Sequence, residues 1–266
     1  MKATLDGATI EYDAVGRGPA VLLFHAFPLG RSMWEAQAEA LATTHRVVSF
    51  DARGFGGSGV DEGPLTMERI ADDGAGLLDH LGIEKAVVGG CSMGGYATFA
   101  FVRRHPQRLL GLVLQDTRAG ADTAEAKANR AALAERVLAE GPGAAVAAFL
   151  PKLVGETTHR ERPDLVAGLR ERILASSPRA IANALHGLAA RADSRETLPT
   201  IAVPTLVLVG SEDAITPPSE AALLAAAIPR ARFDVIPEAG HLANLENPAA
   251  VNAALRAFLA GHPVQR

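Results

Sequence analysis

Three residues, Ser92, Asp213 and His241, could together activate a nucleophile. A serine hydroxyl attacks a carbonyl carbon when a base takes its proton and an acid orients that base. Ser92 is the centre of Gly-Cys-Ser-Met-Gly (90–94), Asp213 ends Gly-Ser-Glu-Asp (210–213) and His241 ends Pro-Glu-Ala-Gly-His (237–241). The chain order nucleophile, acid, base is one in which such triads occur. The three motifs together predict acyl-transfer chemistry centred on Ser92.

The Gly-x-Ser-x-Gly motif predicts a sharp strand-to-helix turn at Ser92, because an apolar run precedes it and a helical pattern follows it. The chain passes close to itself two residues either side of the serine, and Gly90 and Gly94 leave room there. The helix that follows directs its first N–H groups at the site. If Cys91 were the nucleophile, Met93 would occupy the crowded position. Ser92 is therefore favoured, and we expect Cys91 to be a small buried residue.

Asp213 and His241 each follow a predicted strand, and the carboxyl ends of such strands form the sites of α/β proteins. A turn aspartate or a loop histidine is common on its own. Position and chain order together favour Asp213 as the acid and His241 as the base. Glu212 is the nearest alternative to Asp213. Asp116, which follows the run 111–115, is the second alternative.

Two backbone N–H groups are candidates for an oxyanion hole. Met93, directly after the nucleophile, supplies one of them. The loop 25–29 supplies the other, and Phe27 is preferred because Pro28 has no N–H. We expect Pro28 and Trp34 to contact the substrate, and His25 to organise its loop rather than react.

Short apolar runs alternate with helical patterns, which predicts an α/β fold with a mostly parallel sheet buried on both faces. A hairpin is predicted around Asp6-Gly7, and Thr66 and Asn247 are typical of helix starts. The later predicted strands are 20–25, 46–51, 85–90, 111–115, 205–210 and 232–237. The predicted helices of this alternating part are 31–42, 66–81, 93–105, 218–227 and 248–260. Asp72-Asp73 is interpreted as part of a solvated helix face.

Residues 119–199, here called the helical segment, interrupt the alternation. They are rich in alanine and arginine and contain predicted helices over 122–140, 143–153, 162–175 and 178–190. A wholly helical stretch cannot lie in the sheet. It therefore predicts a cap inserted into a core domain made of residues 1–118 and 200–266. Extra helices packed on one face of the sheet are the alternative.

Composition excludes several classes of function. Of 266 residues, 48% are hydrophobic and 21% charged, the balance of a soluble globular protein rather than a disordered one. The net charge of −4 argues against nucleic acid as a partner, and no early apolar run is long enough for a membrane span. The single cysteine excludes an internal disulfide and cysteine-rich zinc sites.

No metal site or cofactor is expected. Gly-Phe-Gly-Gly-Ser-Gly (54–59) fits a dinucleotide fingerprint, but a loop follows it where the real motif opens a helix. The first residues lack the apolar stretch of a secretion signal. We expect a cytoplasmic protein that acts on a small molecule, and the sequence leaves its oligomeric state open.

With these residues in view, nearly the whole chain resembles the α/β-hydrolase superfamily. Phe-His-Ala-Phe-Pro (24–28) is similar to the family's His-Gly-x-Pro oxyanion motif, with Ala26 in place of the usual glycine. Asp-Ala-Arg-Gly-Phe-Gly-Gly-Ser (51–58) is similar to its Asp-x-Arg-Gly-x-Gly-x-Ser loop, and residues 89–95 match its nucleophile turn. The resemblance implies a mostly parallel central sheet flanked by helices, with an inserted helical cap.

Within the superfamily, the chain resembles small bacterial carboxylesterases, 3-oxoadipate enol-lactonases and cofactor-free haloperoxidases, also called perhydrolases. The resemblance implies a serine hydrolase that cleaves carboxylic esters or lactones through an acyl-enzyme. Enol-lactonase or perhydrolase activity on the same triad is the alternative, and a ligand receptor without turnover is a third possibility. An enol-lactone would need a cation for its carboxylate, and candidates are Arg130, Arg136, Arg170, Arg172 and Arg191, most of which we expect to face solvent.

Overall fold

The alternating apolar runs form a single sheet in a computed structural model, which describes residues 1–261. Residues 262–266, the end of the predicted core domain, lie outside the described residues. The strands are β1 Lys2–Leu5, β2 Ala8–Val15, β3 Ala20–Phe24, β4 Arg46–Phe50, β5 Ala86–Cys91, β6 Leu109–Gln115, β7 Thr205–Gly210 and β8 Ala231–Ile236. They pair in the order β1-β2-β4-β3-β5-β6-β7-β8.

The first two strands are antiparallel and the others are parallel to one another. β1 and β2 form the predicted hairpin, and β2 runs antiparallel to β4. In the parallel part, Phe24 lies opposite Gly90, and Cys91 lies opposite Gln115. The loops that follow β3, β5 and β6 therefore leave the sheet side by side at its carboxyl edge, as expected for an α/β fold.

The predicted helix starts are made by side chains that accept a hydrogen bond from the first turn. Thr66 Oγ1 accepts from Arg69 N at 3.1 Å, and Asn247 Oδ1 accepts from Ala250 N at 3.2 Å, so each satisfies an N–H that the helix leaves unpaired. The helices outside the helical segment are α1 Glu35–Leu41, α2 Met67–His80, α3 Met93–Arg104, α9 Pro218–Ala227, α10 Ala243–Glu246 and α11 Pro248–Ala260. Short 3-10 helices occupy Arg31–Trp34, Pro106–Arg108 and Arg195–Thr200.

The helical segment lies between β6 and β7 and contains one helix more than predicted. Its helices are α4 Ala124–Glu140, α5 Gly143–Leu153, α6 Glu156–Glu161, α7 Pro163–Leu174 and α8 Pro178–Ala190. The short helix α6 was not predicted. A six-residue helix is too short for a repeating apolar pattern to reveal it. Pro163 begins α7, a position where a proline's missing N–H costs nothing.

A buried carboxylate ties the ends of the helical segment together. The Asp122 side chain is fully buried and pairs with Arg118, Arg130 and Arg191. Arg191 also lies over the ring of Tyr96, 4.3 Å from its centroid. A buried charge is stable only when it is paired and hydrogen-bonded. These contacts join both ends of the segment to α3.

Two expectations about burial were wrong. The run 232–237 suggested a strand buried on both faces, but β8 is the edge strand, and Phe233 and Val235 are exposed there. Asp73 is buried instead of solvated, because Arg53 donates to both of its carboxylate oxygens at 2.7 and 2.8 Å. Both errors arise from tertiary placement, which a local pattern does not contain.

Among residues 1–261, no helix combines the length and the apolarity that a bilayer crossing needs.

Candidate active site

Ser92 lies on the turn between β5 and α3 in a backbone conformation that side chains rarely adopt, with φ of +53° and ψ of −111°. The flanking glycines are required by close approach. A Cβ at Gly90 would lie 2.3 Å from the Gly94 carbonyl carbon, and one at Gly94 would lie 2.2 Å from the Phe24 carbonyl oxygen. The predicted turn is therefore present, and its tightness sets the Ser92 side chain at the carboxyl edge of the sheet.

The structure brings the three predicted residues into one hydrogen-bonded line. Ser92 Oγ lies 2.7 Å from Nε2 of His241. The other ring nitrogen, Nδ1, lies 2.9 and 3.0 Å from the two carboxylate oxygens of Asp213. His241 and Asp213 are both buried, whereas Ser92 is partly exposed. This is the geometry in which an imidazole can take a proton from a hydroxyl while an acid fixes its tautomer.

Asp213 is held in place by the turn that follows it. Its Oδ1 accepts from the N–H groups of Ile215 and Thr216 at 2.8 and 2.9 Å, and its Oδ2 accepts from the Thr216 hydroxyl at 2.7 Å. Burial raises the pKa of Asp213, but the hydrogen bonds and charge of His241, together with those from Thr216, outweigh it and leave the pKa below its usual value. The carboxylate therefore stays ionised beside the imidazole.

Neither alternative acid is hydrogen-bonded to the His241 ring within residues 1–261. Glu212 accepts from Thr157 in the helical segment, from its N–H at 2.9 Å and its hydroxyl at 2.6 Å. Asp116 accepts from Gly210 N at 2.9 Å and Ala243 N at 3.2 Å. Burial, with the nearby charge of Asp213, raises the pKa of Asp116 well above its usual value.

Cys91 and His25 have surroundings that suit structural roles. Cys91 is fully buried, and burial raises the pKa of its thiol well above the usual value. Because the thiolate is the reactive form, this thiol is inert. His25 Nδ1 lies 2.9 Å from the Ala26 carbonyl, and its Nε2 accepts from Ala52 N at 2.9 Å. Burial lowers the pKa of His25, which keeps the ring neutral while it links two loops.

The two candidate oxyanion donors are free to receive a ligand. Within residues 1–261, neither the Phe27 N–H nor the Met93 N–H donates to a protein acceptor. Both residues follow strands, β3 and β5, whose ends are paired side by side. The Phe27 ring packs edge-on against Phe149 of α5, with centroids 5.2 Å apart, and against Phe55 at 6.3 Å. The helical segment therefore contacts the loop that carries the second donor.

Pro28, one of the two expected substrate contacts, lies in this loop, and Trp34, the other, ends the 3-10 helix Arg31–Trp34 that follows it. The Trp34 side chain is almost completely buried, and among the described residues its indole N–H has no acceptor. A cavity of about 500 Å³ opens beside the same loop at Leu29–Ser32. Arg31, Asp51 and Arg172 stand in its wall, and Ser92 and His241 do not, so it differs from the apolar pocket expected around the nucleophile.

Most of the arginines considered for carboxylate binding are engaged within the helical segment. Arg136 pairs with Glu140 and Arg170 with Glu171, both on the exposed surface. Arg130 and Arg191 pair with the buried Asp122. Arg172 is the one that reaches the wall of a described cavity.

Sequence reasoning missed Thr216 and Glu246 as parts of this site. Thr216 donates to Asp213, and an aspartate followed three residues later by threonine is a turn signal that could have identified it. Glu246 is buried and accepts from Leu242 N, next to His241, at 3.1 Å. No local signal marks Glu246, because its other partners come from the helical segment. Among residues 1–261, no group of three His, Cys, Asp or Glu side chains is arranged to hold a metal ion.

Comparisons with known proteins agree with this architecture. A family model described as the alpha/beta hydrolase fold matches residues 19–248. The chain is 47% identical to a solved thermophilic esterase from Thermogutta terrifontis, with a TM-score of 0.96 over 99% of each chain. It is 30% identical to a solved enol-lactonase from Burkholderia xenovorans LB400, with a TM-score of 0.91 over 98% of this chain and 100% of that one.

A curated relative, 3-oxoadipate enol-lactonase 2 of Acinetobacter baylyi, is 30% identical over 96% of this chain and 95% of its own length. These similarities extend through the strands, the loops at the carboxyl edge and the helical segment alike. The expected fold is confirmed, and the chain is a member of the α/β-hydrolase family.

Proposed function

We propose that this protein is a serine hydrolase that cleaves carboxylic esters through an acyl-enzyme, with Ser92 as nucleophile, His241 as base and Asp213 as acid. One observation carries the proposal: an unbroken hydrogen-bonded line runs from the Asp213 carboxylate through the imidazole to the Ser92 hydroxyl. The esterase from Thermogutta terrifontis, 47% identical over nearly its whole length, supports the same class of substrate.

In the first half of the reaction, Ser92 Oγ attacks the ester carbonyl carbon while His241 Nε2 takes the hydroxyl proton. Asp213 holds the Nδ1 proton and stabilises the imidazolium that forms. The carbonyl oxygen becomes an oxyanion and accepts hydrogen bonds from the Phe27 and Met93 N–H groups. Loss of one such donor costs about 10²–10³ in rate in other hydrolases. The carbon–oxygen bond to the leaving group then breaks, and the imidazolium protonates the departing alkoxide.

In the second half, water replaces the alcohol. His241 takes a proton from the water, whose oxygen attacks the acyl carbon of the Ser92 ester. The same two N–H groups bind the second oxyanion. Collapse of this intermediate releases the carboxylic acid and returns the proton to Ser92 Oγ, so the enzyme ends as it began.

The acyl side of the substrate is expected to be small or medium and largely apolar. The Phe27 and Met93 side chains are buried beside the donors, and Phe149 closes on Phe27 from the helical segment. Apolar walls with few polar groups are typical of small-molecule pockets. We propose that the helical segment acts as a cap that completes this pocket.

Ser92→Ala tests the proposal directly. The variant should lose about 10⁴-fold or more of the kcat for a short p-nitrophenyl ester, and a fluorophosphonate should label the wild type at Ser92 alone. His241→Ala should fall to a similar level, because the two residues act as a unit. Full activity in Ser92→Ala would overturn the proposal. Tight ligand binding without turnover in the wild type would point to a receptor instead.

A lactone is the second candidate substrate, supported by two relatives named enol-lactonases that match nearly the whole chain. Ring opening uses the same groups, because the leaving alkoxide stays attached to the acyl part. Comparing kcat/KM for 3-oxoadipate enol-lactone with that for neutral esters separates the two. Peracid formation from acetate and hydrogen peroxide tests the perhydrolase alternative, in which peroxide replaces water as the acceptor.

A further inference from the structure

Glu246 is a buried carboxylate that joins the helical segment to the loop of His241. It ends α10, the single turn of helix that follows the histidine, and is 6% exposed. Its Oε1 accepts from Leu242 N at 3.1 Å. Its Oε2 accepts from Gly155 N and from the Thr158 hydroxyl, both at 2.7 Å. A carboxylate leaves water at high cost unless donors replace the lost hydration, and here two separate elements supply those donors.

Glu212 makes the corresponding connection on the side of the acid. It immediately precedes Asp213 and accepts from the N–H and the hydroxyl of Thr157. Burial raises the pKa of Glu212, but the hydrogen bonds from Thr157 outweigh it and leave the pKa below its usual value. The start of α6 is therefore held between two carboxyl groups, Glu212 beside Asp213 and Glu246 beside the turn of His241.

Glycines bring the two backbones into direct contact between these carboxylates. A Cβ on Gly240, the residue before His241, would lie 2.2 Å from Gly155 N. A Cβ on Gly155 would lie 2.3 Å from Glu212 Oε2 and 3.0 Å from Gly240 N. Gly155 has an ordinary φ of −72°, so close approach, and not backbone conformation, favours glycine there.

We infer that residues 155–158, hereafter the clasp, position His241 and Asp213 for catalysis, and that Glu246 and Thr158 are positioning residues of the hydrolase. The inference rests on the proposed function of Ser92, Asp213 and His241. Among residues 1–261, the clasp makes no hydrogen bond to Ser92. It acts by fixing the backbone at Gly240 and Leu242, on either side of His241. It also holds Glu212, the residue that precedes Asp213.

The chemical consequence concerns one distance. Proton transfer requires His241 Nε2 to stay about 2.7 Å from Ser92 Oγ, and displacements of about 1 Å can cost 10²-fold in rate. Asp213 fixes the imidazole from one side only, through Nδ1. If the loop could shift at Gly240 and Leu242, the imidazole would move together with Asp213, and Nε2 would leave its position beside Ser92 Oγ. The clasp removes that freedom. Loss of the clasp should therefore lower kcat more than it raises KM.

A simple anchoring role for these contacts makes a different prediction. The helical segment is also fastened at a second place, where the Asn183 side chain of α8 donates to the Asp61 carbonyl at 3.1 Å and is hydrogen-bonded to neither Glu212 nor Glu246. If fastening the segment is all that matters, removing either attachment should have similar effects on kcat. If the clasp positions the imidazole, only its own contacts should matter. Asn183→Ala is therefore the matched control.

The experiment measures kcat and KM for a p-nitrophenyl ester, with thermal unfolding to establish that each variant is folded. Thr158→Val keeps the shape and removes the hydroxyl, and should lower kcat about 10-fold with KM changed by less than about 3-fold. Thr158→Ser restores the hydroxyl and should restore kcat to within about 2-fold. Glu246→Gln should lower kcat by about 10–100-fold. Asn183→Ala should stay within about 2-fold of the wild type.

Combining Thr158→Val with Glu246→Gln should cost less than the product of the two single effects, because both remove the same contact. A folded Thr158→Val variant with the kcat of the wild type overturns the clasp, as does an equal loss in Asn183→Ala. If the wild type neither hydrolyses esters nor reacts with a fluorophosphonate at Ser92, the proposed function fails first and the clasp falls with it. Fluorophosphonate labelling of the wild type therefore separates the two failures.

Discussion

Asp116 and Asp213 follow neighbouring strands of the sheet, β6 and β7, yet the fold shifts the pKa values of their carboxyl groups in opposite directions. Both side chains are buried and both accept several hydrogen bonds. Asp213 faces an imidazole, and its pKa is lowered despite burial. Asp116 faces backbone N–H groups and the charge of Asp213, and its pKa is raised. Asp213 binds the imidazole, whereas Asp116 links Gly210 to Ala243 by accepting from their N–H groups.

The largest effect that tests this contrast is expected from Asp213→Asn. The amide keeps the shape of the carboxylate but carries no charge. In one of its two orientations it also presents an N–H to Nδ1, so the imidazole takes the wrong tautomer. The kcat should fall by about 10⁴-fold. Steady-state kinetics on a p-nitrophenyl ester measures it. A loss of less than about 10-fold would mean that another group, with Asp116 first in line, can serve as the acid.

The pH dependence of stability should separate the two carboxyl groups by sign. A lowered pKa means that Asp213 stabilises the fold above pH 3.8, its ordinary value, and that this contribution is lost as the pH falls further. A raised pKa means that the wild type loses stability through Asp116 as the pH rises above 3.8. Melting curves of Asp213→Asn and Asp116→Asn between pH 3 and 8 measure both.

Relative to the wild type, the Tm of Asp116→Asn should therefore rise with pH, because the amide cannot ionise. The Tm deficit of Asp213→Asn should be full at neutral pH and should shrink below pH 3.8. Each 1 kcal/mol corresponds to about 2–4 °C in a protein of this size. Parallel curves for the two variants would contradict the opposite directions of the two pKa shifts.

A smaller effect is expected on the activity of Asp116→Asn. Among residues 1–261, the Asp116 carboxyl group makes no hydrogen bond to His241, so an amide in its place leaves the line from Asp213 to Ser92 intact. One oxygen still accepts from Gly210 N, as Oδ1 does now. The kcat should remain within about 3-fold of the wild type, on the scale of a neutral substitution away from the reacting atoms. A fall comparable to that of Asp213→Asn would erase the difference between the two sites.

The smallest effect is expected from Cys91→Ala. The thiol lies 4.0 Å from Asp116 Oδ2 and 3.6 Å from the His241 carbonyl, yet its raised pKa keeps it protonated and unreactive. Activity should be unchanged within about 2-fold, and iodoacetamide should leave the native wild type active. Inactivation by iodoacetamide with loss of the thiol would reopen the choice of nucleophile.

The sequence foretold those parts of the fold that depend on local pattern. Strand runs, helix caps such as Thr66 and the tight turn at Ser92 follow from residue types a few positions apart. The short helix α6, the burial of Asp73 and the exposure of Phe233 depend on partners distant in the chain. For the same reason, Asp213 could be preferred over Glu212 and Asp116 from chain order, while the contacts of Glu246 with Gly155 and Thr158 could not be foreseen.

Glu212 binds Thr157 of the helical segment, whereas the next residue, Asp213, binds His241 near the end of the chain. This arrangement affects how hydrolases of this family can be recombined. Exchanging residues 119–199 for the matching stretch of another member places the first crossover point in the connection between β6 and α4 and the second within the 3-10 helix Arg195–Thr200. The incoming chain would need a hydroxyl at 157 and a small residue at 155, or compensating changes at 212 and 246. Libraries that co-select these four positions should yield more active chimaeras than libraries that exchange the stretch alone.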